Sequence, residues 1–122
     1  MSDEFFRVAR QEIQSEIDSL KEIFLDCAND ERLYEKSAEI EKHMHKIKGL
    51  APMMGQEKIG EIARISDIIL KHVTSQGVLK GSQEIISDAV NKMSSIFGGR
   101  DNIETGDFKK TVKDSYPQIL GF

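Results

Sequence analysis

The chain has three imidazoles able to do nucleophilic, acid–base or metal chemistry: His43, His45 and His72. Two of them lie in the run His43-Met44-His45-Lys46-Ile47-Lys48-Gly49-Leu50-Ala51-Pro52-Met53-Met54-Gly55. Ile40, Met44, Ile47 and Ala51 recur at intervals of three and four, so a helix would gather them on one buried face. At about 100° per residue, His45 projects about 100° away from Met44 and outside that face, whereas His43 falls beside Leu50. His45 is therefore expected to face solvent, and His43 suits the role of a satisfied core histidine. A neutral imidazole in solvent offers a free lone pair near neutral pH, because the histidine reference pKa is about 6.5.

Gly49 stands one turn after His45 on the same face, inside a helix where glycine costs about 1 kcal/mol relative to alanine. Either it clears space beside the imidazole for another protein, or it loosens the helix end before Pro52. Ala38 and Pro52 fall on the same face and would give that space a small apolar border. Lys42 and Lys48 each lie three residues from His45. Either they stabilise an anionic group on the ring by charge-assisted contacts, or they belong to a solvated charged face.

These residues need a rigid frame, and the periodicity supplies one that is entirely helical. A first helix over about residues 2–28 carries Phe6, Ala9, Ile13, Ile17, Leu20, Phe24 and Cys27 as one stripe. Asn29-Asp30 offers a turn and an N-cap. A second helix over about residues 31–51 carries Leu33, Ile40, Met44, Ile47 and Ala51, and Pro52 and Gly55 end it. A third, over about residues 56–74, uses Ile59, Ile62, Ile69 and Val73. A fourth, over about residues 82–97, uses Ile85, Ile86, Ala89, Val90, Met93 and Phe97. Phe108, Val112 and Tyr116 mark a short fifth helix over about residues 107–120. Short links between amphipathic helices predict an all-α, antiparallel up-down four-helix bundle with a short fifth C-terminal helix.

With 122 residues, the chain has room for one domain and one core: a bundle over about residues 2–97 and a C-terminal segment over about 98–122. Seventeen basic against 21 acidic side chains give a net charge of −4, which argues against general nucleic-acid binding. No apolar run approaches the roughly 20 residues that span a bilayer, and the acidic opening lacks a secretory n-region. A single cysteine, Cys27, fits a reducing compartment, so a cytoplasmic location is expected, and separately the chain is expected to be a monomer.

Taken as a unit, His45-x-x-Lys48-Gly49-x-Ala51-x-x-x-Gly55 resembles the HxxKGxAxxxG signature of histidine phosphotransfer (HPt) domains. It is most similar to the amino-terminal phosphotransfer domain of chemotaxis histidine kinases. The similarity extends to Asp3-Glu4-Phe5-Phe6 at the first helix and to Gly55-Gln56-Glu57-Lys58-Ile59-Gly60-Glu61-Ile62-Ala63 at the third. Gly77-Val78-Leu79 before the fourth helix is a weaker match. The resemblance implies a phosphoryl acceptor at His45 with Lys48 beside it. The family also places a histidine and a glutamate on the third helix. Here those positions are Arg64 and Asp67, which keep a positive charge and a shorter carboxylate.

In that reading Asp67 accepts from Nδ1–H of His45, leaving Nε2 for phosphorylation, while Lys48 and Arg64 offset charge on the phosphoryl oxygens. On the third helix, Gly60, Arg64, Asp67 and Lys71 share a polar face, with Asp67 nearest the core edge. The alternative there is a surface ion-pair row of Arg64, Asp67 and Lys71. No Gly-rich nucleotide loop and no kinase ATP box is legible. The chain is thus expected to be a phosphorelay intermediate of two-component signalling, not an enzyme. A histidine kinase catalytic domain would serve as donor and a response-regulator receiver as acceptor. No cofactor is expected on this chain, and Mg²⁺ would come with the receiver or kinase. An HPt-like adaptor that docks partners without phosphotransfer is the rival reading. Metal binding is disfavoured: His43 and His45 lie about 200° apart on a helix, and neither they nor His72 complete a Glu-x-x-His motif.

Overall fold

The computed structural model describes residues 2–100 and 102–120, so Met1, Asp101, Gly121 and Phe122, the ends of the expected domain among them, lie outside the described residues. Every regular element among the described residues is helical: α1 (Asp3–Phe24), α2 (Asp30–Leu50), α3 (Glu57–Gln76), α4 (Ser82–Phe97) and α5 (Thr105–Ser115). A single 3-10 turn, Pro52–Met54, follows α2.

Local chemistry explains where the helices start. Ser2 caps α1 by accepting from the Phe5 amide, and Asp3 and Glu4 place negative charge on its first turn. Asn29 accepts from the Arg32 amide and caps α2, as the Asn29-Asp30 pair suggested. Asp30 reaches further: its carboxylate accepts from the Gly81 and Gln83 amides, at 2.8 and 2.9 Å, and satisfies the start of α4.

Two ends fall short of the periodicity. The first helix stops at Phe24, not near residue 28, because the Leu25 and Asp26 amides tighten onto carbonyls three residues back. That turn throws Leu25 into solvent and still brings Cys27 into the core. The fifth helix runs from Thr105 to Ser115 and not to residue 120, since Pro117 disfavours helical geometry at Tyr116. Tyr116 and Leu120 are nevertheless buried beyond its end. Phe6 also departs from expectation. It is 38% exposed, while Phe5 beside it is half-buried.

Buried residues of all five helices form one contiguous cluster that includes Ile13, Ile40, Met44, Ile62, Ile69, Met93 and Phe108. In it, α2 packs on α1 and α3, α4 packs on α3 and α1, and α5 packs on α3. The α2–α3 contact is the most extensive, and these two helices carry His45 and Asp67.

The α2-to-α3 link is shaped by two glycines. Gly55 takes φ 75° at the end of the 3-10 turn, a left-handed conformation that costs an L side chain. Gly60 is helical, but an added Cβ would lie 2.9 Å from Cγ and 3.1 Å from Cδ of Pro52. Absence of a side chain at Gly60 thus lets the Pro52 ring close onto α3. Gly60→Ala is expected to lower stability by about 1–3 kcal/mol through overpacking, although alanine gains about 1 kcal/mol of helix propensity. Chemical denaturation decides it: a variant as stable as the parent would show that the ring yields.

Candidate functional site

His45 sits where the helical wheel of α2 put it, with its side chain 59% exposed. Facing it across the α2–α3 contact is Asp67, whose side chain is only 2% exposed. The two approach at 3.8 Å between Nδ1 and Oδ2, an ion-pair distance that is too long for a hydrogen bond. The aspartate, one methylene shorter than glutamate, stops just short of the ring.

The Asp67 carboxylate is held by cations. Lys48 donates to Oδ2 at 2.8 Å, and the Lys71 ammonium lies 3.1 Å from the same oxygen. Burial pushes the Asp67 carboxyl up. The hydrogen bonds and charges of Lys48 and Lys71 outweigh that and hold it below the usual aspartate pKa. Oδ1 is buried without any hydrogen-bond partner among the described residues. Lys71, which the sequence placed only in a surface row, is thus part of the site. So is Glu41, one turn before His45, whose donor atom lies within 4.8 Å of those of His45 and Asp67.

Arg64 is arranged otherwise. Its guanidinium donates to both Glu61 oxygens, at 2.7 and 3.1 Å, and forms no ion pair with Asp67. The ion-pair row envisaged for this helix face therefore splits into Arg64–Glu61 and Lys71–Asp67. Lys42 is exposed and makes no ion pair among the described residues. Ala38, Gly49 and Pro52 are exposed as expected. An added Cβ at Gly49 meets nothing within 4 Å, so no packing inside this chain demands glycine there. Tyr34, 43% exposed, extends the same face and went unnoticed in the sequence. Its signal was present, since it lies about three helical turns before His45 and so in register with it.

On the other side of α2 the His43 ring faces a buried carboxylate. Its Nδ1 lies 3.1 Å from Oε1 of Glu16 on α1, and the Lys46 ammonium is 3.4 Å from that oxygen. His43 is the paired, mostly buried histidine that its wheel position implied. Glu16 was missed, yet it stands three after Ile13 and four before Leu20, on the apolar stripe itself. A carboxylate there needs a partner from the next helix. His72 is half-buried and lines a separate groove with residues of α4 and α5.

Among the three histidines, only His45 thus combines solvent access with a flanking carboxylate and two nearby ammonium groups. Such a cluster can steady an imidazole and receive an anion beside it. No helix among the described residues is long and apolar enough to cross a membrane. No protein-family model, no curated protein and no solved structure matches this chain.

Proposed function

We propose that this chain is a histidine phosphotransfer domain whose first four helices form an antiparallel up-down bundle and whose His45 relays a phosphoryl group. The observation that carries the reading is the exposed His45 ring against a buried Asp67 held by Lys48 and Lys71. A histidine kinase catalytic domain donates the phosphoryl group to Nε2 of His45. A receiver aspartate then accepts it, with Mg²⁺ at the receiver.

Asp67 faces Nδ1, the nitrogen that must keep its proton if Nε2 is to attack. Lys48 and Lys71 sit close enough to turn from Asp67 to an incoming phosphoryl oxygen, each being partly exposed. Arg64 neutralises Glu61 and takes a lesser part than the resemblance implied. Lys42 adds positive charge on the approach side, while Ala38, Gly49, Pro52 and Tyr34 give the receiver an open, partly apolar landing face.

The experiment is a relay: a kinase with radiolabelled ATP, this chain, and a receiver with Mg²⁺. Acid-labile label should appear on this chain and then leave for the receiver. A chain that binds both partners yet never acquires label is an adaptor instead.

Gly49 is tested separately. A glutamine there has free space, so the fold should hold, and Gly49→Ala should gain up to about 1 kcal/mol of stability. Gly49→Gln should slow transfer to the receiver at least tenfold, the equivalent of about 1.4 kcal/mol of docking energy. Unchanged transfer by a folded Gly49→Gln chain would leave Gly49 as a mere loosening of the helix end.

A further inference from the structure

From Glu41, His45 and Asp67 we infer a second use of this site, the binding of one divalent transition-metal ion, for which Zn²⁺ is the fitting probe. The donor atoms of these residues lie within 4.8 Å of one another. Glu41 and His45 are four apart on α2, so both project from one helical face, and Asp67 closes the set from α3. One imidazole nitrogen and two carboxylate oxygens form a three-ligand set of the kind that holds Zn²⁺ with a fourth position left to water. Histidine pairs and Glu-x-x-His spacing do not reveal this set, because one ligand comes from another helix and the intrahelical pair has the longer spacing.

Asp67 supplies the independent observation. It is almost wholly buried, and its Oδ1 accepts no hydrogen bond among the described residues. The oxygen facing His45 is Oδ2, and with Oδ1 buried and lacking a donor the carboxylate has acceptor capacity to spare for a further cation. The site already draws positive charge to that carboxylate, through the ammonium groups of Lys48 and Lys71. The Lys71 ammonium, 3.1 Å from Asp67 Oδ2 and one turn along α3, is thus a built-in cation at the site.

A doubly charged ion balances Glu41 and Asp67 together, with His45 neutral. Both lysines reach solvent and can give way, Lys71 more readily at 55% side-chain exposure against 30% for Lys48. Their competition makes the site a moderate binder. The donors must also draw together, since Zn²⁺ takes imidazole nitrogen and carboxylate oxygen at about 2.0–2.2 Å.

The test titrates the whole chain with Zn²⁺ alone, at neutral pH, against a chromophoric chelator, and follows the imidazole signals by NMR. One ion per chain is expected, with the His45 signals moving and those of His72 unmoved. His45→Gln, Glu41→Gln and Asp67→Asn should each weaken binding at least tenfold, whereas Lys71→Met should strengthen it. Circular dichroism confirms that each variant is helical, and half-buried Glu41 and exposed Lys71 keep the test open if Asp67→Asn unfolds. Absence of Zn²⁺ binding, equal binding by His45→Gln, or no gain from Lys71→Met overturns the inference. No phosphoryl donor is present, so the metal site and the phosphorelay reading fail or stand separately.

Discussion

A His45→Gln chain should take up no label from a histidine kinase, whereas His43→Gln and His72→Gln chains should be labelled to the parent's extent. The size of the expected loss follows from chemistry, since no other group at this face offers a neutral nitrogen lone pair. Lys48 and Lys71 are tied to Asp67, and a protonated ammonium is no nucleophile. His43 has its ring turned to Glu16, and His72 lies in the groove beside α4 and α5. Glutamine keeps a polar, uncharged side chain at an exposed position, so the fold should be unaffected and uptake should fall to background. His43→Gln is the more demanding control. It leaves the buried Glu16 with Lys46 and the glutamine amide, so some stability is lost while labelling persists. Mapping of acid-labile phosphate decides between the sites. Label on the His45→Gln chain, at His43 or His72, would remove His45 from the proposed role.

Much of this site is legible in the sequence because a helix converts spacing into direction. The positions of the His45-to-Gly55 signature prove physically unlike one another. Ala51 is a buried contact at the end of α2, and Gly55 is a left-handed turn. Lys48 is the ammonium on Asp67, while His45 and Gly49 are open to solvent. The first two are explained by folding alone, so the functional weight falls on the remaining three. Periodicity also carried Asp67 to the core edge, but it could not say which cations would meet it there. Lys48 comes from α2 and Lys71 from one turn along α3, and only their packing brings both onto one carboxylate. Glu16 illustrates the converse error. A charge on an apolar stripe is itself informative, because burial there demands a partner. The end of α1 escapes a wheel because a tightened turn interrupts a stripe that still continues to the buried Cys27, whereas Pro117 does mark the end of α5.

Asp67→Ala and Asp67→Asn should each slow phosphorylation of His45 about 10–100-fold, at or below the lower end of what positioned acid–base groups contribute. Two consequences of the geometry combine in that figure. The carboxylate at 3.8 Å needs an approach of about 1 Å, or one bridging water, to accept from Nδ1–H and hold the tautomer that frees Nε2. It also fixes the Lys48 ammonium, which a phosphoryl oxygen would otherwise have to find in a mobile side chain. Exposure of the ring limits the first effect, because water competes for Nδ1–H. Asparagine keeps the shape and removes the charge, so a rate loss shared by both variants assigns the effect to charge and not to packing. Lys48 and Lys71 retain access to water, so neither variant strands a buried ammonium and both should remain folded. The decisive readout lies outside activity. Nitrogen NMR of the imidazole should show the Nδ1–H tautomer favoured in the parent chain and mixed tautomers in both variants. If tautomer populations and rates are unchanged in a folded Asp67→Asn chain, Asp67 serves only to neutralise Lys48 and Lys71, and His45 works without an orienting partner.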